Sequence, residues 1–147
     1  MLDVRAFFPN DLQALGTVQE MQRAEWRAAP PGIERHLAAG PAWSIEGIVG
    51  LVAVGGLIIN PTIRHRAYAW ALVSDRITVA ERIEAVRVAS RMVRQAHWLG
   101  IERIEAIVRS GWPEGERVMR ALGFKCEARG MAKYGPDRSA HDQWARV

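Results

Sequence analysis

The stretch Gly115-Glu116-Arg117-Val118-Met119-Arg120-Ala121-Leu122-Gly123-Phe124-Lys125-Cys126-Glu127-Ala128-Arg129-Gly130 decides how the rest of the chain reads. Trp112 or Pro113 opens a short helix running through Leu122, because proline at a first helical position forfeits no hydrogen bond, and Gly123 ends it. Phe124 to Tyr134 follows as a strand, and Ala140 to Val147 as another around the turn Gly135-Pro136-Asp137-Arg138. The chain therefore closes helix, strand, strand.

Upstream, Val79, Ile83, Val86, Ala89, Val93 and Ala96 form one apolar stripe, which predicts a long helix from about Val79 to Leu99 with Gly100 as its cap. Ile101 to Arg109 is a strand between the two helices. Before them, Arg66 to Ser74 reads as a strand with unequal faces: Tyr68, Trp70 and Leu72 point one way, Ala67, Ala69, Ala71 and Val73 the other. A face of alanines suits either a tightly packed helix or a ligand lying along the strand. Leu2 to Phe7 is a first strand, and Pro9-Asn10-Asp11 starts a helix predicted to reach Ala28. Ile33 to Ala39 is a second short helix. Ala42 to Glu46 and Ile48 to Ile59 form a hairpin turning at Glu46-Gly47, and Gly55-Gly56 marks a bulge or a close backbone approach. The expectation is an α/β chain, one domain over 1–147, with a mixed, mostly antiparallel sheet of six or seven strands and about four helices.

Composition narrows the function. Of the 147 residues, 49% are hydrophobic and 24% charged, which is globular rather than disordered. The longest apolar run, Ile48 to Ile59, is far shorter than the ~20 residues of a membrane span. The first residues show no basic start leading into an apolar segment, so a cytoplasmic location is expected. One cysteine, Cys126, leaves no internal disulfide, and His36, His65, His97 and His141 lack metal-ligand spacing. No metal site is expected. The net charge is +4, and only Lys125 and Lys133 of the 20 basic residues are lysine. Arginine favours forked contacts to phosphate and carboxylate. Arg87, Arg91 and Arg94 line one side of the long helix, a solvated face or a nucleic-acid contact.

Nucleophile elbows, P-loops and dinucleotide-binding glycine motifs are absent. Ser139, His141 and Asp142 have the residue types of a hydrolytic triad, but adjacency is not a triad geometry, and they read as strand surface.

The run ending in Ala121-Leu122-Gly123-Phe124, with an acid three residues on, resembles the end of the GNAT superfamily of acyl-CoA-dependent N-acetyltransferases. Val4-Arg5 with Pro9-Asn10-Asp11-Leu12 is similar to its start, and Asp142-Gln143-Trp144-Ala145-Arg146 to its last strand. The resemblance spans nearly the whole chain. It implies that the fourth and fifth strands, Arg66 to Ser74 and Ile101 to Arg109, splay to admit the pantetheine arm of acetyl-CoA. Backbone at Trp70, Ala71, Leu72 and Val73 would then grip the arm, and Arg76 would meet pyrophosphate. The family's Gln/Arg-x-x-Gly-x-Gly/Ala loop is altered here: Arg76 fits its first position, β-branched Val79 and Glu81 replace the glycines, and Asp75 adds another negative charge. A tyrosine that protonates the departing thiolate in many members is Met119, and Trp112-Pro113-Glu114 stands where an asparagine is common. No base is singled out among Glu46, Glu105 and His65, so no catalytic residue is assigned.

Within that superfamily the chain is most similar to compact, loop-altered versions encoded by tailed phages, on the strength of Trp43-Ser44-Ile45 and the arginine-rich helix. That similarity implies a virion-associated structural component with weak or no catalysis, contacting other virion proteins or a second copy of itself. Six tryptophans, a residue type enriched at interfaces, fit such a role. An active N-acetyltransferase acting on a primary amine, and a nucleic-acid-binding module, are the alternatives.

Overall fold

The computed structural model describes residues 2–147. Seven strands, β1 (Asp3–Ala6), β2 (Ala42–Gly47), β3 (Gly50–Ile59), β4 (Arg66–Val73), β5 (Arg103–Arg109), β6 (Lys125–Met131) and β7 (His141–Arg146), make one sheet in the order β1-β2-β3-β4-β5-β7-β6. Five helices, α1 (Asp11–Ala14), α2 (Arg23–Arg27), α3 (Ile33–Ala38), α4 (Val79–Trp98) and α5 (Pro113–Ala121), flank it. Every neighbouring pair is antiparallel except β4 and β5, which the crossover helix α4 joins in parallel. The mixed α/β architecture matches the sequence expectation.

One helix count differs. The helix expected from Pro9 to Ala28 is broken: α1 ends at Ala14, Gly16 takes φ +74°, and a 3-10 turn at Glu20–Gln22 leads into α2. The left-handed region suits glycine and stops a helix. The residues between run extended instead, and Val18 forms an isolated bridge with Ser74 beyond the end of β4. The β2–β3 turn also lies further on than expected, at Ile48-Val49, since Gly47 pairs with Gly50.

Side-chain alternation sorts the core onto both faces of the sheet. Ala67, Ile104, Ala106, Val108 and Trp144 pack with Val93 and Ala96 of α4 and with Leu122 and Phe124. On the opposite face Leu51 and Val54 pack with Phe7, Leu12, Leu15, Val18 and Leu37. Ile45, Val52, Ala53, Ile77 and Val88 complete the α4 side. Each fully buried aliphatic chain contributes about 1.5–3 kcal/mol of transfer free energy. The six tryptophans divide between core and surface: Trp144 is fully buried, four are half-buried, and Trp98 alone is 89% exposed.

Two contacts fix the β1–β3 side. A Cβ added to Gly56 would lie 2.4 Å from the Pro41 carbonyl oxygen and 2.8 Å from Ala42 Cα, which is the close approach read from Gly55-Gly56. The bulge sits elsewhere, where the β2–β3 register shifts between Ile45 and Glu46. Asp11, 6% exposed, takes a forked pair of bonds from Arg5 at 2.8 Å each, one from the Ser44 hydroxyl at 2.7 Å and one from the Phe8 amide at 2.8 Å. Arg5 above all, outweighing desolvation and aided by Ser44, holds its carboxyl down to about 2.

Gly56→Ala is expected to cost about 2 kcal/mol, read by urea denaturation, because backbone rather than a flexible side chain occupies the space a methyl needs. For Asp11 the folded value lies below the unfolded one, so its stabilisation is present above pH ~4 and is lost as pH falls toward 2. Wild type should therefore lose about 1–2 kcal/mol over that window that Asp11→Asn does not, a figure lowered from the full linkage value because Arg5 is partly solvated. Parallel acid titrations of the two proteins, followed by circular dichroism, check it.

Candidate functional site

β4 and β5 pair only through Arg66 with Arg103, Ala67 with Ile104 and Tyr68 with Glu105. At this closed end Glu105 accepts from Arg66 at 2.5 Å, Arg103 at 3.2 Å and Gln143 at 2.9 Å, riveting β4, β5 and β7 together. Beyond Tyr68 the two strands part. β5 stays paired to β7 as far as Arg109, and β4 to β3 as far as Val73. A cavity of about 470 Å³ lies along the opening, lined by β4, β5, α4, α5 and part of α2.

The predicted positions fall around it as follows. Trp70, Ala71, Leu72 and Val73 all line the cavity. Trp70 meets Phe7 edge-on at 5.5 Å, and its indole N–H has no partner among the described residues. Ala67 and Ala69 pack beneath α4, so these two serve helix packing, whereas Ala71 is exposed. Arg76 is exposed and lies outside the cavity lining; a Cβ on Gly16 would stand 3.5 Å from its guanidinium. Met119 lines the wall. Glu46 pairs with Arg5 at 3.1 Å and His65 is exposed, both apart from the cavity. Arg87, Arg91 and Arg94 are exposed on α4 and make no ion pair among the described residues.

A strand edge that loses its neighbour must find other partners for its amides and carbonyls. Here the chain supplies them. The Gln22 side chain donates to the Ala71 carbonyl at 2.9 Å and accepts from the Val73 amide at 3.0 Å. The Gln19 amide donates to the Val73 carbonyl at 2.8 Å, its side chain donates to the Ser74 carbonyl at 2.9 Å, and Asp75 N–H reaches the Thr17 carbonyl at 2.9 Å. Residues 17–22 thus form a strap along the free edge of β4.

The loop into α4 is likewise bonded within itself. Arg76 N–H donates to Ser74 Oγ at 3.2 Å and Ile77 N–H to the Ser74 carbonyl at 3.3 Å. Thr78 caps α4: its hydroxyl accepts from Glu81 N–H at 3.1 Å, and the Glu81 carboxylate accepts from Thr78 N–H at 3.0 Å and Ile48 N–H at 3.1 Å. The Thr78 amide first, opposed by desolvation and helped by Ile48, lowers the Glu81 pKa. A negative carboxylate therefore sits on the positive end of the helix.

The far end of the cavity holds groups the sequence reading passed over. His141, taken there as strand surface, is 3% exposed, and Asp142 is 2% exposed. α2 and the β6–β7 loop cover the His141 side of the strand, and Ser110, Gly130 and Arg129 close over Asp142 on the other. His141 Nε2 lies 2.6 Å from Glu25 Oε1, and Arg109 lies 2.7 Å from Asp137 and 3.6 Å from Glu25. Ser139 first, then Arg109, holds Asp137 well below the usual carboxylate range. Asp142 accepts from the Ser110 hydroxyl at 2.7 Å and the Gly130 amide at 2.8 Å; burial alone would raise it, but these bonds and Arg129 bring it below its ordinary value. Desolvation, then Tyr134 and Glu25, pushes the Tyr68 phenol up to about 12. The signal that could have found this cluster is a charged residue in a short amphipathic helix, Glu25, facing the tail strand; only tertiary contact joins them.

No protein-family model matches the chain, and no curated protein sequence does. Solved structures do. A chimera of spermidine N-acetyltransferase from Vibrio cholerae is similar at TM-score 0.75 and 16% identity, covering 99% of this chain and 95% of that one. A GNAT-family acetyltransferase from Bacillus anthracis is similar at 0.74 and 13%, covering 99% and 94%. An IAA acetyltransferase from Bacillus cereus is similar at 0.73 and 9%, covering 99% and 98%. Among the described residues no helix is long and apolar enough to cross a membrane.

Thr78→Ala should cost about 1 kcal/mol in urea denaturation, the usual value of an N-cap, and should speed amide exchange at Glu81, whose N–H loses its acceptor. At identities of 9 to 16% the shared property is architecture, and from β1 to β7 this chain has the fold of the GNAT-family acetyltransferases.

Proposed function

We propose that this is an acetyltransferase-like protein whose acetyl-CoA site keeps the slot for a thioester arm and has given up most of its grip, leaving weak or no catalysis. The observation that carries this reading is the strap. Gln22 presents an amide to the Ala71 carbonyl and the Val73 amide, the bonds a pantetheine amide would need along that edge. The phosphate end points the same way, since the loop amides at Arg76, Ile77, Thr78 and Glu81 are bonded internally and Glu81 occupies the helix terminus with its own negative charge. The residues present thus fit the arm in shape and not the diphosphate in bonding.

The structural half of the reading, a component of a phage virion, draws on the resemblance of Trp43-Ser44-Ile45 and the arginine-rich helix. It is supported by one surface feature, the exposed Trp98-Leu99 step at the end of α4. Trp144 is fully buried and Trp26, Trp70 and Trp112 pack against the core, which removes these four from that support.

Calorimetric titration with acetyl-CoA and with acetyl-pantetheine, which lacks the diphosphate, tests the site. The two should bind within about threefold of each other, under ~0.7 kcal/mol, and Gln22→Ala should strengthen both by about tenfold, or ~1.4 kcal/mol. Acetyl-CoA binding about thirtyfold tighter than acetyl-pantetheine, and weakened by Arg76→Glu, would overturn the proposal in favour of a working N-acetyltransferase.

A further inference from the structure

The solvent face of α4 carries a row of arginines that no carboxylate in the described residues neutralises. Arg87, Arg91 and Arg94 are exposed and follow one another at i+4 and i+3 steps, and Trp98, four residues later, is 89% exposed. At 3.6 residues per turn the four side chains leave the helix within a sector of about 60°, spaced about 6, 4.5 and 6 Å along its axis. The three arginines make no ion pair among the described residues, whereas Arg5, Arg66, Arg103 and Arg109 each hold a carboxylate. Glu84 and Glu102 flank the row in sequence and pair with none of its members. A further exposed arginine, Arg64, stands beside the Trp98 end, because the neighbouring His65 carbonyl accepts from Glu102 N–H at 2.7 Å just beyond α4.

The arrangement of polar and apolar groups decides among polyanions. Between Ile83 and Trp98 the exposed positions of α4 are Arg87, Arg91, Arg94 and Gln95, so the middle of the face offers no apolar side chain. A protein interface has the reverse layout, an apolar centre inside a polar rim. A helix lying on a bilayer needs an apolar stripe along its length, and the arginines interrupt any such stripe here. Arginine forks onto phosphate oxygens, and an exposed indole beside a row of arginines gives a base a surface to stack on. In a duplex the bases are already stacked and paired, so only a single strand offers phosphates and a free base face together.

We infer that the outer face of α4 binds single-stranded nucleic acid, with Arg87, Arg91 and Arg94 on its phosphates and Trp98 under an unpaired base. None of these four residues lines the cavity, so the inference goes beyond the acetyltransferase-like reading and does not depend on it. Contacts to phosphate and to the face of a base carry little sequence information, so the preference among sequences is slight.

The probes are a fluorescently labelled oligothymidine of about 12 nucleotides, within the range one single-strand site covers, an abasic strand of the same length, and a duplex. Anisotropy titrations with the full chain start at about 50 mM salt, and log K should fall against log salt with a slope of about −2 to −3, the value for three or four phosphates. Arg91→Gln with Arg94→Gln should weaken oligothymidine binding at least about tenfold and make that slope shallower by about 1.4. Arg27→Gln with Arg35→Gln removes the same charge from exposed positions on α2 and α3 and should cost less than about threefold. Trp98→Ala should lose about tenfold for oligothymidine, ~1.4 kcal/mol, and leave the abasic strand unchanged. All five positions are exposed, and circular dichroism checks that each variant keeps its fold. No strand binding, equal losses from the two arginine pairs, tighter binding of the duplex, or equal loss of both strands with Trp98→Ala would overturn the inference. Displacement of the strand by phosphatidylglycerol vesicles or by polyglutamate at matched charge would overturn it in favour of a membrane or an acidic protein.

Discussion

The free edge of β4 beyond Tyr68 is the constraint around which the molecule is arranged. Three residues of parallel pairing to β5 hold the sheet in one piece, and past them the edge would face an open cavity. An unpaired backbone group removed from water costs as much as a lost hydrogen bond. The strap at residues 17–22 answers that cost with Gln22 on Ala71 and Val73 and with Gln19 on Val73 and Ser74. The extended run 17–19 lets the Gln19 N–H reach the Val73 carbonyl, and the 3-10 turn at Glu20–Gln22 that follows carries the Gln22 side chain onto Ala71 and Val73.

The strap and the loop into α4 form one hydrogen-bonded unit. Val18 bridges Ser74, Asp75 N–H reaches the Thr17 carbonyl, and Arg23 lies 3.6 Å from Asp75. A glycine-rich loop leaves amides open to an anion, whereas this loop turns them onto Ser74 and Thr78 and brings Glu81 under the helix terminus. Glu81 also accepts from Ile48 N–H, so the same carboxylate ties the β2–β3 turn to α4. The anionic group at this helix terminus is thus the chain's own Glu81.

Most of the fold was legible because it rests on periodicity. The α4 stripe, the proline-opened α5 and the alternation in β4 are local signals, and they place every strand and the order in which the chain visits them. The parting of β4 and β5 came from the resemblance, since no pattern in either strand marks where pairing stops. Gln22 could not be read at all: its partners lie 49 and 51 residues away, and a glutamine in a polar stretch carries no sign of bonding a distant strand edge. His141 was misread for a related reason. Alternation gives which way a β7 side chain points, but whether α2 and the β6–β7 loop cover that face depends on contacts 116 residues apart, such as Glu25 with His141.

The two ends of the cavity are mechanically joined through α2. Gln22, at the N-terminal boundary of that helix, fills the β4 edge, and Glu25, three residues on, holds His141. Residues three apart on a helix lie on the same side, separated by less than one turn. A shift of the backbone that carries Gln22 would move the turn that carries Glu25, three residues on. The short α2, five residues with no fully buried side chain, is held by Trp26 packed against the cluster of Phe7, Leu12 and Leu15, by Arg23 on the Val18 carbonyl at 3.2 Å and by Glu25 on His141.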